Sequence, residues 1–332
     1  MKLFILISYI LIGYVAYAAY PISNSLYTIS GQAQGTTYSI KYYAADKVVS
    51  KDEVDSIFNV IDESMSLYKN NSLINQFNSS SNKRVKLDSH MYNVVKASFD
   101  YHKKTNGYFD ITVFPLMKLW GFGPEGFRNN PTQNQVDSVR QFVGLNKLRL
   151  KGRYLEKRNK NTAIDLNGIA QGYTVDVLSD FLNNKGVQSS MVEVGGEIYC
   201  FGMKPNGETY KIEIQRPNND SAASYKVSIK DKAITTSGSY EKYRTVNGKR
   251  LSHHIDPHTG SPLTNSILSV TVIANTAMQA DALDNYLMYL KPEDAISYIE
   301  RVPQAEAYII YSENYTLKEL QSSGFNNYIY NQ

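Results

Sequence analysis

Ile164-Asp165-Leu166-Asn167-Gly168-Ile169-Ala170-Gln171-Gly172-Tyr173 is a short apolar run that breaks at Asn-Gly and resumes as a helix. After the break Ile169, Tyr173, Val177, Leu178, Phe181 and Leu182 recur at helical spacing. The pattern stops at Asn184-Lys185-Gly186, where glycine can take the left-handed cap. The spacing therefore predicts an amphipathic helix opened at Gly168. A helix start leaves backbone N–H groups unpaired and carries partial positive charge, which suits a phosphate or carboxylate, and a glycine there lets a ligand approach the backbone. Asn-Gly before a helix is more often a plain turn, so the functional reading depends on partners elsewhere in the chain.

Working outward, strand and helix patterns flank this stretch on both sides. On its N-terminal side Gly31 to Tyr43 reads as a strand entered through a glycine turn. Asp52 to Leu67 places Val54, Ile57, Phe58, Ile61 and Met65 on one helical face and leads past Tyr68 into a polar loop. Ser89 to Lys104 reads as a second helix, with His90 and His102 as solvated positions, ending at Asn106-Gly107. Phe127 to Gln135 is a polar loop, and Val136 to Tyr154 a short helix followed by strand material that feeds the central motif through Thr162 to Leu166. On the C-terminal side Met191 to Tyr199 reads as a strand interrupted by Gly195-Gly196. Tyr210 to Gln215 and Tyr225 to Ile229 are further strands joined by a polar loop over Asn218 to Ser224. Leu268 to Ala274 is the last strand before a helix that begins at Ala277, behind a Thr276/Gln279 capping box, and ends before Pro292.

The 332 residues, 42% hydrophobic and 20% charged, can build a sizeable core as one large domain or two small ones. A net charge of +4 without runs of like charge disfavours nucleic-acid binding. Met1-Lys2, the apolar run Leu3 to Val15 and Ala16-Tyr17-Ala18 match a secretory signal peptide, so residues 1–18 are expected to be removed on export and the mature chain to begin at Ala19. An uncleaved membrane anchor is the alternative. Cys200 is the single cysteine, which rules out an intramolecular disulfide and suits a buried core position.

Four stretches carry candidate chemistry. Asp110 stands inside the apolar, aromatic segment Gly107 to Pro124 and must find hydrogen-bond partners, as a cap or at a ligand. His253, His254 and His258 cluster around Asp256-Pro257, but a turn sequence without helical histidine spacing or a nearby cysteine disfavours zinc. Asp281, Asp284 and Asn285 stand at i, i+3 and i+4, on one helical face. Such oxygen donors favour magnesium, which commonly takes one or two carboxylates and completes its shell with water and phosphate; a solvated helix face is the alternative. The Gly168 helix start is the fourth.

In combination these stretches resemble the ApbE family of flavin transferases. The resemblance runs from Gly31 to about Leu290 and rests on motifs in family order. They are Gly35-Thr36-Thr37-Tyr38, Tyr68 with Asn70-Asn71-Ser72, Phe109 to Val113 followed by Leu119 to Pro124, and Ile164 to Tyr173. Gly195-Gly196-Glu197, Thr236-Ser237-Gly238, His253 to Gly260 and Ala280-Asp281-Ala282-Leu283 complete the set. The resemblance implies an α/β (α+β) fold of antiparallel sheets flanked by helices, with residues 19–332 as a single domain. It implies an exported, Mg2+-dependent FAD:protein FMN transferase that takes FAD, attaches FMN by a phosphoester to a threonine of an acceptor flavoprotein and releases AMP. Metal ligands would be the Gly168 carbonyl, Asp281, Asp284 and Asn285. FAD would touch Gln34, Tyr68, Tyr108, Phe109, Asp110, Asp165, Gln171 and Ile255. His253 would be the catalytic base, and Asp256 is placed to orient it or to shape the turn. The protein would be periplasmic, with the N-terminus or the acceptor able to bring it to the inner membrane.

Three positions depart from the family pattern. Gln34 replaces a common methionine, Gln171 a usual lysine and Asn285 a usual threonine. Asn285 keeps an oxygen donor, whereas Gln171 removes a cation from the expected pyrophosphate site and leaves more of its charge to the metal and the helix start. Two other readings stay open: an FAD pyrophosphatase, in which water replaces the threonine, and a non-catalytic periplasmic FAD-binding protein. Neither storage nor simple binding needs a metal pair of carboxylates or a histidine base.

Overall fold

The computed structural model describes residues 24–79, 81–126, 130–216, 225–238, 243–246 and 249–330. The expected signal peptide and the 218–224 loop lie outside them, as do residues 127–129 of the other polar loop.

The chain opens with a hairpin, β1 (Ser25–Ala33) and β2 (Thr36–Ala44), joined by Gln34-Gly35. Both turn residues are left-handed, with φ of 53° and 76°, the conformation that matches the twist of a two-residue hairpin. Helix α1 (Lys51–Met65) follows, started by a Ser50/Glu53 capping box. It buries the predicted stripe through Val54, Phe58, Ile61 and Met65, each such side chain contributing roughly 1.5–3 kcal/mol. Next come α2 (Leu73–Asn78), β3 (Arg84–Lys86), α3 (Ser89–Lys104), α4 (Phe114–Trp120) and α5 (Gln133–Arg140). The sequence reading placed a polar loop where α2 lies, because this six-residue helix has only Ile74 and Phe77 to bury. It also ran the second polar loop to Gln135, whereas Thr132 and Gln135 form a capping box that starts α5 at Gln133.

Strands β4 (Leu148–Lys151) and β5 (Tyr154–Lys157) pair with β3 in a small sheet, and α6 (Asn167–Asn184) is the helix of the central motif. Beyond it lie β6 (Ser189–Val194), β7 (Glu197–Phe201), β8 (Tyr210–Ile214), β9 (Tyr225–Ile229), β10 (Lys232–Gly238), β11 (Tyr243–Val246) and β12 (Lys249–Ser252). The chain closes with β13 (Ile267–Ala274), α7 (Ala277–Leu287), α8 (Pro292–Ile299), β14 (Glu306–Glu313) and β15 (Thr316–Gln321). The strand expected over Met191 to Tyr199 is two strands, because Gly195 and Gly196, with φ of 61° and 105°, fold it back as a hairpin.

Eight strands form one sheet in the order β1-β2-β6-β7-β10-β13-β14-β15, every neighbouring pair antiparallel. The β8–β9 hairpin and Phe325 cover one side of it, sharing a core with Ile234, Ile273 and Cys200, which is fully buried as predicted. On the other side α6, α7 and α1 pack against the sheet through Val175, Leu178, Leu182, Leu283 and Phe58. The opposite flank of α6 supplies Ile169 and Tyr173 to a second core with α2, α3 and the small sheet. Helix α6 is therefore buried on two sides rather than amphipathic, and the predicted stripe divides between them, Ile169, Tyr173 and Val177 facing the second core and Leu178, Phe181 and Leu182 the sheet.

Candidate metal and flavin site

The segment leading into α6 is held extended by side chains and backbone from elsewhere. The Asn78 amide brackets Ile164, donating to its carbonyl at 2.8 Å and accepting from its N–H at 2.7 Å, and Asp165 N–H donates to the Ile111 carbonyl at 2.8 Å. Asp165 Oδ1 accepts from Asn167 N–H at 2.8 Å, and burial pushes the Asp165 carboxyl up to about 6. Gly168 leaves helical geometry at φ −82° and ψ 17°. Its carbonyl faces the Asn285 amide nitrogen at 3.4 Å. Four residues on, Gly172 N–H donates to Asp281 Oδ2 at 2.9 Å. A Cβ at Gly172 would sit 2.3 Å from the Ala277 carbonyl oxygen, so only glycine lets α6 and α7 approach this closely.

Helix α7 is aimed by α6. Of the expected capping box only half forms: the Thr276 hydroxyl accepts from Gln279 N–H at 3.1 Å, and the Asp176 carboxylate takes Ala277 and Met278 N–H at 2.7 and 2.9 Å. This turns Asp281 and Asp284 inward, 3% and 2% exposed, which excludes the solvated-face alternative. Asp284 Oδ1 accepts from the Ser237 hydroxyl of β10 at 3.0 Å. The Asn285 amide nitrogen meets Asp281 O and Oδ1 at 3.1 Å each, and Gly168 O and Asp284 Oδ1 at 3.4 Å each. Its two N–H groups cannot satisfy four acceptors.

Burial pushes the Asp281 carboxyl up to about 7, and burial followed by the Asp281 charge holds Asp284 well above the carboxylate range. Among the described residues no group of three His, Cys, Asp or Glu could hold a metal. The donor set at this point is instead two carboxylates, a backbone carbonyl and an amide. Those hard oxygens, short of positive charge, fit Mg2+ better than any metal that prefers nitrogen or sulfur.

Both departing glutamines lie along α6. Gln171 Nε2 donates to the Val194 carbonyl at 3.0 Å, and a Cβ on Gly195 would come within 1.9 Å of that nitrogen. Gln34 Nε2 donates to Thr174 Oγ1 at 3.1 Å. The β1–β2 turn, the β6–β7 turn and the start of α6, three separate sequence motifs, thus meet at one place.

The aromatic segment adjoins the histidine turn. The Tyr108 ring stands edge-on to His258 at 4.7 Å and near Tyr289 at 5.9 Å. Phe109 packs in the second core, 5.8 Å from Tyr101. Asp110 is a structural cap: Oδ1 accepts from Thr112 N–H at 2.8 Å and its hydroxyl at 2.6 Å, and Oδ2 from Leu145 N–H at 3.1 Å. His102 Nδ1 lies 3.5 Å from Asp110 Oδ2, and His90 Nδ1 lies 3.0 Å from the Tyr173 hydroxyl, so neither is the solvated helix residue expected. A cleft of about 580 Å³ opens beside this segment, lined by Asp110, Arg140, Lys147 and His258 but not by Asp281 or Asp284.

Ile255 is buried against Leu116, Val136 and Val143, and its carbonyl accepts from the Tyr289 hydroxyl at 3.2 Å. Asp256 Oδ1 accepts from His258 N–H at 2.8 Å and Thr259 N–H at 3.4 Å, which is the turn role of its two expected roles. His253 is half-buried with its ring 4.2 Å from that of His254. Tyr68, 73% exposed, is presented by a loop that the Asn75 amide ties through the Leu67 and Lys69 carbonyls at 3.0 and 2.9 Å.

Sequence reasoning missed Gly172, Asp176, Ser237 and His254 as parts of the site. For Asp176 a signal existed, an acidic residue between Val175 and Val177 in an apolar helix. Gly172, Ser237 and His254 lay inside motifs the sequence marked, but nothing in those motifs assigned them a contact, since small residues and a second histidine fit many surroundings.

A model of the ApbE family matches residues 34–309. The chain is 35% identical over 304 residues to the FAD:protein FMN transferase of Vibrio cholerae serotype O1, covering 90% of this chain and 91% of that one. It is 35% identical over 311 residues to the enzyme of the same name from Escherichia coli strain K12, covering 91% and 88%. Two solved structures are also similar. Flavin transferase ApbE from Vibrio cholerae matches with a TM-score of 0.84 at 33% identity over 92% of this chain and 99% of that one. The apo form of the Pseudomonas stutzeri flavinyl transferase ApbE matches with 0.83 at 30% identity, over 92% and 97%.

Proposed function

The chain belongs to the ApbE family, and from that premise we propose that it is an exported FAD:protein FMN transferase that moves FMN from FAD to a threonine of an acceptor flavoprotein. The observation that carries the reading is the convergence of the Gly168 carbonyl, Asp281, Asp284 and Asn285 at the start of α6. In the reaction the threonine Oγ bonds to the phosphorus of the FMN half, the bond from that phosphorus to the bridging oxygen breaks, and AMP leaves with the bridging oxygen.

Gly168, Asp281, Asp284 and Asn285 would hold Mg2+. Bound there, it would neutralise charge on the FAD diphosphate. Residues of the chain do the remaining work. His253 accepts the threonine proton as general base, and Asp256 fixes the turn that carries it. The N-terminus of α6 adds partial positive charge beside the phosphates, where Gln171 supplies an amide donor in place of a cation. Tyr68, Tyr108, Phe109, Asp110, Asp165, Gln34 and Ile255 frame the flavin and adenine halves. Exposure of Tyr68 supports a stacking role, while the saturated carboxylate of Asp110 supports a role in shaping the site through its backbone. Residues 19–332 act as one unit in the periplasm.

The test is to incubate the protein with FAD, Mg2+ and a threonine-containing acceptor and to weigh the acceptor. A mass gain of one FMN unit, lost when the threonine is replaced by alanine, is expected. FAD consumed to FMN and AMP without any gain on the acceptor would replace transfer with hydrolysis, and FAD bound but unchanged would leave a binding protein.

A further inference from the structure

His254 lies against the metal-site residues without being one of them. Its ring is 3% exposed, and its Nδ1 lies 2.9 Å from the Ser252 hydroxyl oxygen, which also accepts from His254 N–H at 3.2 Å. The Ser252 hydroxyl has two lone pairs and can take Nδ1–H beside the backbone N–H, and in that tautomer Nε2 is an acceptor. That nitrogen is buried and has no hydrogen-bond partner among the described residues. Orphaned buried acceptors are rare in proteins and need an explanation. Besides Ser252 and His253, the polar side chain that acts on the ring is the Asn285 amide.

Asn285 has the complementary problem. Its NH2 faces four oxygens that it cannot all satisfy. Half a turn of the amide exchanges nitrogen and oxygen at equal reach, giving the oxygen cluster another oxygen and giving NH2 to an acceptor on the other side. We propose that His254 is a positioning residue: its Nε2 receives the Asn285 NH2 and so holds the amide oxygen toward Gly168, Asp281 and Asp284, completing the cation site. The inference rests on the metal reading given above. It accounts for an asparagine at a position where a hydroxyl would need no such orientation, and makes His254 and Asn285 a coupled pair.

The test measures Mn2+ or Mg2+ binding to the whole protein by calorimetry, without FAD, for wild type, His254→Leu, Asn285→Thr and the double variant. Partners that orient a metal ligand typically govern about 10- to 100-fold in affinity. His254→Leu should therefore weaken cation binding by at least about tenfold while the metal-free protein melts as high as wild type. In the Asn285→Thr background the same change should have little effect, and His254→Gln, which keeps an acceptor, should recover most of the affinity. Unchanged binding by His254→Leu, or an equal loss in both backgrounds, overturns the positioning role alone. If the wild-type protein binds neither cation, the metal reading fails and this inference fails with it.

Discussion

Asp281 and Asp284 form an unfavourable pair when buried together without a cation. Burial comes first in holding both acids toward their neutral forms, with the Asp176 charge adding to it at Asp281 and the Asp281 charge at Asp284. Asp281→Ala relieves the crowding of two buried acids but orphans the Gly172 N–H, so the metal-free variant should stay folded, while transfer in Mg2+ falls by at least about 10²-fold, the equivalent of several kcal/mol of lost charge stabilisation. Full turnover by Asp281→Ala in a chelator would remove the metal from the mechanism. His253 is predicted to behave differently from both Asp281 and His254. A general base contributes typically about 10²- to 10⁴-fold, so His253→Ala should lower transfer by about two orders of magnitude with FAD affinity near normal. Raising Mg2+ should rescue His254→Leu and leave His253→Ala unchanged. Transfer that survives in His253→Ala and collapses beyond rescue in His254→Ala would make the buried imidazole the base. Both carboxylates were legible in the sequence because the i, i+3, i+4 spacing fixes a shared face. His254 was not, because nothing in Ser-His-His-Ile says which imidazole turns inward.

Elements were legible where one periodicity and one cap acted alone. Helices α1 and α3 each bury one stripe, and their apolar spacing marked them. Helix α6 was read as amphipathic because its apolar spacing passes for one face, while its residues divide between two cores. The same enclosure puts Asp176, on α6, at the N-terminus of α7, where it replaces half of the expected capping box. Burial pushes the Asp176 carboxyl up to about 7, against about 3.9 in an unfolded chain. Below about pH 4 both states hold the proton; as pH rises toward 7 the unfolded state loses it first, so the contribution of this group to stability is present in acid and lost as pH rises through about 7. Roughly three pKa units correspond to an upper bound on the order of 4 kcal/mol. Asp176→Asn keeps an acceptor for one of the two N–H groups and does not titrate. Thermal melts between pH 5 and pH 8 should therefore show a flatter profile for Asp176→Asn than for wild type. An unchanged slope would mean that Asp176 is ionised throughout and that its two N–H partners outweigh its burial.

At the scale of the molecule, one antiparallel sheet gathers strands from both ends of the chain, with β1 at one edge and β15 at the other. The site sits where α6 and α7 cross the face of that sheet, so its parts come from turns far apart in sequence. An alternating pattern predicts a strand but not its neighbours, which is why the motifs could be found singly while their meeting point could not be derived from spacing. The sheet also bears on the proposed export. Among the described residues the first one paired in it is Ser25, opposite Ala44, and it lies beyond the expected cut after Ala18. Processing should then cost the fold nothing: protein lacking residues 1–18 is expected to melt with the full chain, bind Mg2+ equally and transfer FMN at the same rate. N-terminal sequencing of periplasmic protein should begin near Ala19, after the small residues of Ala16-Tyr17-Ala18. Material that still begins at Met1 and fractionates with the inner membrane would replace cleavage with an anchor, leaving the site unaltered and moving the enzyme to the membrane surface.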